Sequence, residues 1–166
     1  MKSICILIIM CCVFLRCTFK SNSTNDGDRS KEWNTLTVIS EGSTIVKINN
    51  DNDSAFVNVF HRGSLFSPLP KKSEVKIDTI KTTFSKSEKD SLVLLAKEII
   101  SNPVIVKVSC TEYIGHLELI INYGAFEQKG EYSSVCDWTK VSDKTLKLHE
   151  ILKRRIKGVY LGEGNQ

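Results

Sequence analysis

Between Leu36 and Phe60 the chain is cut into strand-length pieces by tracts suited to turning. Leu36 to Ile39 and Thr44 to Ile48 are separated by little more than Glu41-Gly42-Ser43, which predicts a hairpin. Asn49-Asn50-Asp51-Asn52-Asp53-Ser54 contains only residues that favour turns, because their short polar side chains bond the nearby backbone. Ala55 to Phe60 then reads as a third strand. Phe56, Asn58 and Phe60 fall on one side of it and Val57, Val59 and His61 on the other, so both sides are expected to be partly covered. Strand-length pieces joined by short turns can pair only with their neighbours running the other way. Antiparallel sheet is therefore the frame into which the rest of the chain must fit.

Downstream, Arg62 to Lys72 is irregular and contains Gly63, Pro68 and Pro70. Strand alternation resumes at Val75, Ile77 and Thr79. Ser87-Glu88-Lys89-Asp90 has the form of a capping box before an apolar run. Leu92, Leu95, Ala96 and Ile99, with Val93 and Ile100, recur at helical spacing, and Asn102-Pro103 ends that helix. Val104 to Cys110 reads as the clearest strand, joined through Tyr113-Ile114-Gly115 to another from Leu117 to Tyr123. Gly124 to Tyr132 reads as a loop or short edge element. Ser142 caps a second amphipathic helix running to about Lys157, with Leu148, Ile151, Leu152, Ile156 and Val159 as its apolar side. The expected fold is α+β: a mostly antiparallel sheet of about six strands with two amphipathic helices. A sandwich with peripheral helices is the alternative.

The N-terminus separates from this domain in composition. Lys2 precedes an apolar run from Ile4 to Leu15, the pattern of a secretory signal peptide and too short for a transmembrane helix, which needs about 20 residues. Ser21 and Ser23 suit a cut before Thr24; a cut after Cys17 is the alternative. Residues 1–23 are thus read as signal peptide, 24–34 as flexible leader and 35–166 as one globular domain. The cut changes the arithmetic. The whole chain of 166 residues has six cysteines and a formal charge of +4, from 23 basic and 19 acidic residues. Loss of Lys2, Arg16 and Lys20 leaves 20 basic against 19 acidic. Four cysteines leave as well, and Cys110 and Cys136 are expected to pair in an oxidising compartment. Asn52-Asp53-Ser54 and Asn22-Ser23-Thr24 are glycosylation sequons, the first on a turn and the second beside the expected cut.

Catalytic signatures are sparse. The sequence holds no GxSxG elbow, P-loop, HExxH or Gly-rich dinucleotide motif. The Asn/Asp tract lacks the glutamate that an EF-hand requires, since the twelfth position of a loop starting at Asp51 is Arg62. Two cysteines are too few for a Cys-based zinc site, and no metal or cofactor is expected. His61 and His116 could act as an acid–base pair on RNA, with Lys107 stabilising charge, if the fold brought them together. His149 is expected to face solvent. From Lys140 to Lys157 there are 7 Lys/Arg residues against Asp143 and Glu150. Lys153, Arg154 and Arg155 there could touch a polyanion or a membrane surface. The signal peptide argues against an intracellular nucleic acid.

These features point to a secreted, non-enzymatic binding protein acting on an extracellular or host-surface protein. Its work is expected on a sheet face or on the Arg62–Lys72 loop, with Arg62 and Phe66 as contacts. The Asn-, Lys- and Ile-rich composition matches that of an AT-rich coding genome, as in parasites and viruses. A small secreted hydrolase such as a ribonuclease and a carrier of a small apolar ligand are the alternatives.

Overall fold

The computed structural model describes residues 33–61, 76–106, 110 and 115–162. The expected signal peptide, most of the leader, Asn22, Arg62, Phe66 and Lys107 lie outside the described residues.

Six strands form one antiparallel sheet: β1 (Thr35–Ser40), β2 (Thr44–Asn49), β3 (Ser54–His61), β4 (Lys76–Thr83), β5 (Leu117–Asn122) and β6 (Glu127–Tyr132), in the order β4-β3-β2-β1-β5-β6. The first four are a meander, with short turns after β1 and β2 and a longer connection from His61 to Lys76. The β1–β2 turn is tight because Glu41 and Gly42 both take positive φ, 53° and 61°, which matches the twist of a hairpin. β5 then lies against the free side of β1, and β6 against β5. The sheet is not closed into a barrel, and no second sheet faces it among the described residues, so the sandwich alternative is not adopted.

Helices α1 (Lys86–Ser101) and α2 (Asp143–Arg155) pack against one face. The cap of α1 is two residues earlier than its sequence suggests. Ser85 accepts from the Glu88 backbone N–H, and Glu88 accepts in return from the Ser85 backbone N–H. Ser142 caps α2 as expected, through the Thr145 N–H. The two helices run antiparallel and are joined by an ion pair at each end, Lys144–Glu98 at 3.1 Å and Arg155–Glu88 at 2.9 Å.

The core lies between this helical layer and the sheet. Leu36, Val38, Val46, Ile48, Ala55, Val57, Leu117, Leu119 and Ile121 point from the sheet to Leu92, Val93, Ala96, Ile99, Leu148 and Leu152. Trp33 is fully buried, and the Asn34 N–H bonds to the Asn122 carbonyl. Both residues, expected in the leader, therefore belong to the fold. Trp138 is fully buried in a short 3-10 turn and donates through Nε1 to Ser40 Oγ.

Residues 103–106 are not strand. The sequence reads 104–110 as a partner of 117–123, but both sides of β5 are occupied, by β1 and β6. The Val104 N–H bonds instead to the Tyr132 hydroxyl. Segment Glu127–Tyr132 supplies the sixth strand, although its residues are mostly polar, because it forms an edge. The Cys110–Cys136 disulfide is present, with Cα atoms 5.0 Å apart.

Candidate functional site

The face of the sheet away from the helices is uncovered among the described residues. Alternation decides what it carries. Because Ala55 and Val57 are buried in the core, Phe56, Asn58 and Phe60 must point outward, and Phe56 is 41% exposed. Pairing then assembles rows across the sheet. Lys47 of β2 stands opposite Phe56 of β3, and Phe56 opposite Lys81 of β4. Ile45 stands opposite Asn58, and Asn58 opposite Thr79. Phe60 stands opposite Ile77, which is 50% exposed. On the other half, Thr37 of β1 is opposite Ile120 of β5, and Ile120 opposite Lys129 of β6. Ile39 is opposite Glu118, and Glu118 opposite Glu131.

Charge on this face is divided. The β2–β4 half carries Lys47 and Lys81 and no carboxylate. The β1–β5–β6 half carries Glu118, Glu127 and Glu131 against Lys129. Lys129 Nζ lies 2.7 Å from Glu118, and this contact raises the lysine pKa. Glu127 accepts from Asn122 Nδ2, and Glu131 from Ser133 Oγ at 2.7 Å. The Ser133 bond holds the Glu131 carboxyl below its usual range, so it stays ionised. Across both halves runs an apolar band of Phe56, Phe60, Ile45, Ile39 and Ile120, all half-buried or exposed.

His61 and His116 are not brought together. His61 shares the parity of Ala55 and Val57 and points to the helical side, where Nε2 meets Asp78 Oδ2 at 2.7 Å. That bond lowers the Asp78 pKa. His116 has the parity of Glu118 and lies on the open side, within 3.9 Å of Glu118 and 3.8 Å of Glu131. Three strand spacings of about 4.8 Å, roughly 14 Å, also separate the two positions laterally. Beside His116, the Glu41 carboxylate accepts from the Gly115 N–H, and burial raises its pKa.

His149 does not face solvent as its helix suggests. It is 5% exposed and stands edge-on to Trp138, with ring centroids 5.5 Å apart. The basic charge between Lys140 and Lys157 is partly neutralised. Arg155 is paired with Glu88, Lys144 with Glu98, and Lys140 with Asp137. Arg154 is exposed, and with Lys153 and Glu150 it borders a shallow surface depression.

Two further features remain. An apolar groove of about 430 Å³, open to solvent, is lined by Val104, Ile105, Val106, Val135 and Val141 beside the disulfide. Asn52 is exposed at the tip of the β2–β3 turn, where its side-chain oxygen accepts from the Ser54 N–H. Among the described residues no group of His, Cys, Asp and Glu is arranged to hold a metal, and no helix is long and apolar enough to cross a membrane.

The open face was only half legible in the sequence. Alternation in β3 announces two distinct sides, but nothing local says that the valine side is the one buried. Compared with family models, with curated proteins and with solved structures, the chain has no significant match in any of the three.

Proposed function

We propose that this chain is a secreted, non-enzymatic binding protein that engages an extracellular or host-surface protein through the open face of its sheet. The observation that carries this reading is the apolar band itself. An antiparallel sheet that leaves one side to water normally makes that side polar. Here Phe56 and Ile77 stand 41% and 50% exposed on it, beside Phe60, Ile45, Ile39 and Ile120. Contiguous apolar side chains rimmed by charge are the usual composition of a protein-binding surface. The N-terminal Lys-plus-apolar run and the Cys110–Cys136 pair support an extracellular setting.

The hydrolase alternative draws no support from the placement of His61 and His116. The carrier alternative would rest on the groove by Val104–Val106, which is open and lacks the enclosure a small apolar ligand needs. The test is retention of labelled protein on cell-surface extracts and serum proteins, run in parallel with a Phe56→Asp variant. Retention that the variant loses supports the reading. Equal retention by both proteins, or none by either, contradicts it.

A further inference from the structure

We infer that Asn52 is a site of N-linked glycosylation, modified by the oligosaccharide transferase that acts on chains entering the secretory pathway. The inference rests on the extracellular setting of the proposed function and adds a covalent modification to it.

The sequence offers two acceptors of the form Asn-X-Ser/Thr, at Asn22 and Asn52. Within the β2–β3 turn, Asn49 and Asn50 are followed two residues on by Asp51 and Asn52, whereas Asn52 is followed at that distance by the hydroxyl of Ser54. The hydroxyl is what the transferase recognises, and the asparagine amide is what reacts. Both groups are accessible on the folded chain. Asn52 is exposed and Ser54 half-buried. Asn52 Oδ1 accepts from the Ser54 N–H at 2.9 Å. Asn52 Nδ2 and the Ser54 hydroxyl make no hydrogen bond among the described residues. Asn50 has a structural task instead, since its Nδ2 donates to the Trp33 carbonyl at 2.8 Å.

The main chain of the turn is held from the opposite side. Lys89 Nζ donates to the carbonyls of Asn50 and Asn52, and the Asp53 carbonyl accepts from the Phe84 N–H. These bonds fix the backbone and leave the Asn52 side chain in water. A glycan on Nδ2 therefore displaces no internal contact. It stands beyond the ends of β2 and β3, at a loop tip, where a bulky hydrated addition is tolerated.

The transfer needs no oxidant or reductant. Its co-reactant is an oligosaccharide carried on a polyisoprenyl pyrophosphate. Asn52 Nδ2 attacks the anomeric carbon of the first sugar. The N–C bond forms as the C–O bond to pyrophosphate breaks, and the pyrophosphate leaves with that electron pair. Nδ2 passes one of its two protons to a base of the transferase and keeps the other.

Expression of the full chain in animal cells tests this. The unsubstituted chain reports secretion. Asn22→Gln leaves Asn52 as the single acceptor, and Asn52→Gln, Ser54→Ala and Ser54→Thr are each made on that background. Every product is treated with peptide N-glycosidase, which removes the glycan and leaves aspartate where it was attached. Asn22→Gln should shift in electrophoretic mobility on treatment, with aspartate found at position 52 by peptide mass spectrometry. Asn52→Gln and Ser54→Ala should both lose the shift, and Ser54→Thr should keep it. Ser54→Ala retains Asn52 and its bond to the backbone N–H at position 54, so its loss of the glycan is not a loss of the turn. Absence of a glycan at Asn52 in secreted protein, or a shift that survives Asn52→Gln or Ser54→Ala, overturns the site and leaves the extracellular binding reading standing. A chain that neither leaves the cell nor carries the glycan overturns both.

Discussion

Lys89 shows how one residue joins two distant parts of the chain. It lies in the first turns of α1 and is 5% exposed, yet its ammonium group is satisfied. It donates to the carbonyls of Asn50 and Asn52 at 2.9 and 3.1 Å and lies 3.3 Å from the Asp53 carboxylate. The β2–β3 turn is thus held from inside by a helix. Substitution by Met keeps most of the volume and strands the two carbonyls. Lys89→Met should lower stability by about 1–3 kcal/mol, measured by urea unfolding, the usual penalty for buried polar groups losing a charged partner. Local sequence does not reveal this role. A lysine just after a helix cap reads as solvent-facing, and only the fold of the distant turn buries it.

Glu88 combines two tasks, closing the cap of α1 and pairing with Arg155 of α2. The Arg155 guanidinium, together with the Ser85 bonds, brings its pKa down to about 2 from an ordinary 4.5. Because the folded value is the lower one, its stabilising effect is complete above the unfolded value near 4.5. It is lost as pH falls from there through about 2. Glu88→Gln retains the cap, which glutamine also makes, and removes only the charge. The variant should melt about 1–3 °C lower at pH 7, as expected for a partly exposed pair. The gap from wild type should close as thermal melts are repeated between pH 4.5 and pH 2.

Among the elements, β1 to β4 and both helices follow from their own sequences. Turn tracts and alternation set the meander, and capping with 3.6-residue spacing sets the helices. The sequence order misleads where pairing is non-local. Val104–Val106 has ample strand propensity, but both sides of β5, its expected partner, are taken by β1 and β6. Glu127–Tyr132 has little, yet β5 offers it an edge. Strand formation here is decided by vacancy in the sheet more than by side-chain preference. The disulfide belongs to this scale, since it fastens the irregular segment after α1 to the segment after β6. It spans a sequence separation of 26 residues. Replacing both cysteines by Ala should cost about 2–4 kcal/mol in chemical unfolding, as for loops of that length.

For the whole molecule, the candidate site was harder to read than the fold. Phe56 and Phe60 are visible as a pair, but their row partners Lys47, Lys81 and Ile77 come from other strands, and only register unites them. The loop residues Arg62 and Phe66, favoured from composition, lie outside the described residues.

The seam between β1 and β5 also governs the order of assembly. Along the first four strands each ladder joins close neighbours in sequence, whereas Ser40 meets Leu117 across 77 positions. Closing that long loop costs chain entropy before the ladder returns any contact energy, so the seam is a late and slow event in folding. Until it forms, the inner edge of β1 remains an unpaired template at the centre of the future sheet. A newly made chain therefore passes through an interval in which this strand is open to pairing with a neighbouring chain.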